Sequence, residues 1–74
     1  MNKMRYRFKV GELVKTKEGA GQIGRYAFVL SREHGGFGSN SYYVMVQGIE
    51  TPQYYPEEWL EKVEWNIILV MLLL

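Results

Sequence analysis

Residues 55–63, Tyr55-Pro-Glu-Glu-Trp-Leu-Glu-Lys-Val63, decide how this chain is read. Pro56 has a φ fixed near that of a first helical residue, and Glu57 and Glu58 follow where carboxylates favour the positive end of a short helical dipole. The segment predicts a single 3₁₀ turn at Trp59, after which Leu60 and Val63 face a core. Residues 8–14, Phe8-Lys-Val-Gly-Glu-Leu-Val14, supply the other end of the same unit. Tyr6, Phe8 and Val10 alternate with Arg5, Arg7 and Lys9, the period-two pattern of a half-buried strand, and Gly11 breaks it.

Working inward, residues 12–17 resume extended structure, and residues 17–21 form a turn in which Gly19 and Gly21 tolerate positive φ. Residues 22–30 are the longest strand candidate, with Tyr26, Phe28 and Leu30 on one face and Ile23, Ala27 and Val29 on the other. Both faces are apolar, so a bend is expected at Gly24. Residues 31–41, rich in Gly and Ser, read as a mobile hairpin loop with His34 and Phe37 near its tip. A strand over 42–46, a tight connection over 47–50 and a short strand over 51–55 follow, Pro52 placing the last at an edge or at its own start. In the doublets Tyr42-Tyr43 and Tyr54-Tyr55, alternation sends one ring of each pair outward. The expected core is Phe8, Val10, Val14, Ile23, Phe28, Val44, Val46, Leu60 and Val63, with Trp59 sealing one end.

Five short strands joined by Gly turns, with one helical turn before the last strand, resemble the SH3-like β-barrels over residues 8–64. The resemblance is to the superfold that KOW-like and Tudor-like domains share, and Gly21-Gln22-Ile23-Gly24 partly matches the glycine-plus-apolar turn of KOW-type barrels. The implied fold is all-β: a small barrel of about five strands with a 3₁₀ turn before the last strand and an apolar C-terminal extension. Residues 1–64 form the barrel domain and residues 65–74 the tail. An Sm-like barrel is the nearest alternative, but it normally begins with a helix, for which residues 2–6 are too few.

Seventy-four residues make one domain, of a size that buries roughly 60% of the surface its unfolded chain exposes. Without Cys there is neither a disulfide nor a thiolate metal site, and the cytoplasm is the default location. The first residues lack the apolar core of a secretory signal. The apolar stretch from Trp65 to Leu74 spans ten residues, against roughly 20 for a helix that crosses a bilayer, so no membrane insertion is expected.

Catalysis has little to draw on. One His, no Cys and no Asp give neither a triad nor a thiol nucleophile, so the chain is read as a non-enzyme with no cofactor and no metal. Gly19-Ala-Gly-Gln-Ile-Gly24 spells the dinucleotide-binding pattern, but β-formers follow it where a helix is required, and a turn is the better reading.

Two surfaces carry the functional expectation. Residues 1–32 bear a net +6 and residues 33–74 a net −5 within an overall +1. Arg5, Arg7, Lys9, Lys15, Lys17 and Arg25, with Phe37 or an exposed Tyr for stacking, are the candidate nucleic-acid contacts. Lys and Arg on edge strands also serve simply to prevent aggregation. Tyr42, Tyr43, Tyr54, Tyr55, Trp59 and Trp65 could line a peptide groove. Trp65, Ile67, Ile68, Leu69, Val70, Met71, Leu72, Leu73 and Leu74 are the candidate self-association segment, because an exposed run of this kind is an aggregation hazard unless it pairs or packs. The leading expectation is a non-catalytic adaptor or interaction module that self-associates through this tail, as a homo-oligomer or against another protein. The alternative is a KOW-like or Sm-like nucleic-acid-binding barrel.

Overall fold

A computed structural model of the chain describes residues 5–17, 19–34, 40–64 and 72–73. It contains strands β1 (Leu13–Thr16), β2 (Tyr26–His34), β3 (Asn40–Val46) and β4 (Gln53–Pro56), a 3₁₀ turn (Glu57–Trp59) and strand β5 (Leu60–Lys62). All pairings are antiparallel, in one sheet of order β4-β3-β2-β1-β5. The fold is all-β with a 3₁₀ turn before the last strand, as the sequence predicts. Closure into a barrel is corrected: β4 and β5 form the two edges of an open sheet. The 3₁₀ turn stands between them, and no ladder joins them among the described residues.

The core lies on one face of this sheet. Val14, Ala27 and Val46 share one row across β1, β2 and β3, and all three are buried with Phe8, Ala20, Val29, Tyr42, Val44, Tyr55 and Leu60. Burying a side chain such as Phe8 or Leu60 contributes about 1.5–3 kcal/mol. Tyr6, Ile49 and Trp59 are partly buried and pack against this cluster. The Trp59 ring lies 5.4 Å from that of Tyr55.

Phe8, Val14, Val44, Val46 and Leu60 are buried as expected, whereas Val10, Ile23 and Phe28 are exposed and Val63 is half-buried. Val10 leaves the core because the expected strand over residues 5–10 gives way to a turn in which the Glu12 amide donates to the Lys9 carbonyl. Gly11 takes the positive φ (+88°) of that turn. Ile23 is exposed because the strand begins only at Tyr26. Before it, a loop is pinned by buried Thr16, whose hydroxyl donates to the Gln22 carbonyl and accepts from the Arg25 amide at 2.9 Å. The bend expected at Gly24 falls instead at Leu30, where the β2–β3 register shifts between Val29 and Ser31. Much of the expected loop is ladder, since Ser31 through His34 pair with residues 43 to 40.

Candidate interaction surface

The opposite face of the sheet carries an apolar, uncovered patch, with Lys15, Glu61 and Glu33 on the same face beyond it. Leu13, Phe28 and Met45 form one row across β1, β2 and β3. Tyr43 and Tyr54 face each other across β3 and β4, with ring centroids 5.1 Å apart. Leu30 sits at the bulge, outside the paired register, and is exposed. Phe28 (49% exposed), Tyr54 (46%), Tyr43 (41%), Leu30 (40%) and Met45 (36%) hold this face in solvent. A core side chain would be nearly covered, so this surface is a second apolar layer with nothing above it among the described residues.

Its position follows from strand periodicity. Each outward residue neighbours a buried one: Phe28 lies between Ala27 and Val29, Tyr43 between Tyr42 and Val44, and Tyr54 beside Tyr55. The tyrosine doublets thus divide as alternation requires. A shallow depression on the face is lined by Leu13, Tyr26, Phe28 and Met45. A second, more polar one is lined by Lys15, Tyr26, Glu61, Lys62, Val63 and Glu64. Tyr26 borders both, and four of the six residues that line the second, Lys15, Glu61, Lys62 and Glu64, are charged.

The candidate cations are distributed differently. Arg7 stacks over Phe8 at 5.0 Å, and Lys15 lies 5.8 Å above the Tyr26 ring. Arg25 donates through Nη1 to the Gln47 carbonyl at 3.0 Å. Arg5 and Lys9 are exposed and Lys17 is half-buried. Arg5 is anchored through its carbonyl to Asn40 Nδ2 at 2.8 Å. Asn40 pairs with His34 at the far end of β2 from Arg25, a separation of roughly 25 Å at about 3.3 Å per residue. The structure therefore does not bring Arg5 and Arg25 together. Phe37 lies outside the described residues.

A polar cluster at the Arg5 end was not foreseen from the sequence. The Glu57 carboxylate accepts from the Tyr42 hydroxyl, the Arg7 amide (2.9 Å) and Asn40 Nδ2 (3.4 Å). The Tyr42 hydroxyl accepts from the Phe8 amide at 3.3 Å. Burial first, and the bond to Glu57 next, push the Tyr42 pKa well above its ordinary value. Arg7, Phe8, Tyr42 and Glu57 are each bonded to another part of the fold, which makes the cluster a clasp for the N-terminal segment, and Asn40 Oδ1 is buried without a partner. Glu57, which the sequence places at the start of the 3₁₀ turn, is its centre.

Of the candidate tail, Trp65 and residues 67–71 and 74 lie outside the described residues. Leu72 and Leu73 are 76% and 84% exposed. Among the described residues no helix is long and apolar enough to cross a membrane, and no three metal-ligating side chains cluster. Comparison with protein families, with curated proteins and with solved structures finds no match to this chain.

Proposed function

We propose that this chain is a non-catalytic interaction module on an SH3-like sheet, self-associating through its C-terminal tail. The observation that carries the reading is the uncovered apolar face formed by Phe28, Leu30, Tyr43, Met45 and Tyr54. Surfaces of this kind mark contact sites on small proteins, and aromatic residues and Met are enriched in the cores of protein interfaces. The SH3-like part is supported by the meander β1 to β4 followed by a 3₁₀ turn and a fifth strand that returns to β1. The tail adds a second apolar surface to the same molecule.

The test is the mass in solution. Light scattering at ~100 µM, where a contact of micromolar affinity is occupied, should report an oligomer. Deleting residues 67–74 should return a monomer with unchanged β-sheet circular dichroism. A monomeric full chain at that concentration overturns the proposal.

A further inference from the structure

We infer that residues 67–74 pack between the outer sheet faces of two copies of this chain, an inference that rests on the self-association proposed above and names where the tail docks. Eight successive residues, Ile67-Ile-Leu-Val-Met-Leu-Leu-Leu74, are apolar without periodicity. A strand with such a sequence is one covered on both faces, and a helix with such a sequence is one covered all round. The tail therefore needs an apolar layer on each of two sides. A single copy offers one: the inner face of its sheet is filled by its own core, which leaves the outer face.

Position and size agree with this placement. Val63 and Glu64, the last described residues before the tail, line a depression that Tyr26 joins to the one beside Leu13, Phe28 and Met45. The chain thus leaves β5 beside a charged strip, Lys15, Glu61, Lys62 and Glu64, that adjoins the apolar patch at Tyr26. The tail would measure about 12 Å as a helix or about 27 Å as a strand. The row from β1 to β3 is about 10 Å across, so either form covers it. The Leu13, Phe28, Met45 row and the Tyr43, Tyr54 pair are themselves uncharged, and the charges that share their face, Lys15, Glu61 and Glu33, lie at its margins.

A second copy related by a two-fold axis supplies the other layer. Each tail then has one sheet beneath it and the partner's sheet above it, and the same patch serves both copies. Leu72 and Leu73, exposed in the single chain, become interior.

The chain has no Cys, so thiol cross-linking reports only introduced positions. Equal amounts of the Met45→Cys and Leu72→Cys full-length proteins are mixed, treated with a short bismaleimide and digested for mass spectrometry. A peptide linking positions 45 and 72 is expected, at least tenfold more abundant than the linkage from Glu50→Cys, a control in the β3–β4 turn. Tyr54→Cys provides a second position on the face, with the same expectation. An oligomer by light scattering without enriched linkage from either face position overturns the docking but leaves self-association standing. A monomer overturns both.

Discussion

The Tyr42 hydroxyl donates to the Glu57 carboxylate, tying the buried side of β3 to the 3₁₀ turn fifteen residues further on. The same carboxylate holds the Arg7 amide and the same hydroxyl holds the Phe8 amide. Residues 5–8 form no strand, so this clasp substitutes for a ladder in placing Phe8 against the core.

Tyr42→Phe should destabilise the fold by about 1–3 kcal/mol, the cost of leaving partners in a buried network unpaired. For a domain of this size each kcal/mol lowers Tm by roughly 4–8 °C. The deficit should depend on pH with a definite sign. The folded-state pKa of Tyr42 is raised above the ordinary 10.0, chiefly by burial and then by Glu57, so the protonated phenol is favoured by folding. That stability is complete below pH ~10 and declines as pH rises through and beyond that value. The gap between parent and Tyr42→Phe in urea denaturation should therefore be widest near neutrality and narrow above pH ~10. Equal gaps at pH 8 and pH 11, or no gap, would contradict the clasp.

Gly19 has φ +99°, and a Cβ built on it would lie 2.7 Å from Trp59 Nε1. Gly21 has φ +77° with open space around it. Gly21→Ala should cost about 1–2 kcal/mol for the left-handed backbone alone. Gly19→Ala should cost more, because Trp59 must also move off Tyr55, and it should shift Trp fluorescence where Gly21→Ala does not. Trp59→Ala should cost about 3 kcal/mol, at the low end for a Trp truncation because the ring is half-buried. Indistinguishable melting of the two Gly variants would show that the ring does not rest on Gly19.

Facing directions in β2 can be read by a pair of neighbours. Val29→Asp places an unpaired carboxylate in the core and should abolish the cooperative thermal transition. Phe28→Asp, on the outer face, should keep β-sheet circular dichroism and melt cooperatively. The reverse pattern would mean that the two faces are interchanged.

The nucleic-acid alternative makes a numerical claim. About four phosphate contacts would give log K falling with log salt at a slope near −3 to −4. Because Arg25 and Arg5 lie at opposite ends of β2, the expected result is no retention of single-stranded RNA or DNA at ~50 mM salt. Retention that Arg5→Glu with Arg7→Glu abolishes would restore that reading.

The 3₁₀ turn and the split of the tyrosine doublets were legible because each rests on a local rule: Pro and Glu at a helix start, or alternation along a strand. The facing of β2 was not. Its two faces, Phe28 with Leu30 and Ala27 with Val29, are equally apolar, so periodicity alone cannot assign the inside. The choice is made by neighbours remote in sequence, since pairing Val14 with Ala27 and Ala27 with Val46 aligns the small residues inward. Val10 misled for a different reason: the alternation through Phe8 is real, but the turn at Gly11 ends it. The clasp at Glu57 was hidden because its members, residues 7, 8, 40, 42 and 57, are brought together only by the fold.

The pairing of β1 with β5 sets the order in which the sheet can be completed. The ladders β1–β2, β2–β3 and β3–β4 join strands consecutive in sequence, whereas Val14 meets Lys62 and Thr16 meets Leu60 only when nearly the whole domain is present. Closing so long a segment, like the Arg7–Glu57 bond across fifty residues, is entropically expensive beside the hairpins of the meander and is expected to follow them. During synthesis, the free edge of β1 and the core space of Leu60 stay open until residues 60–62 leave the ribosome. The emerging chain is thus vulnerable to strand-pairing with its neighbours until its last strand arrives.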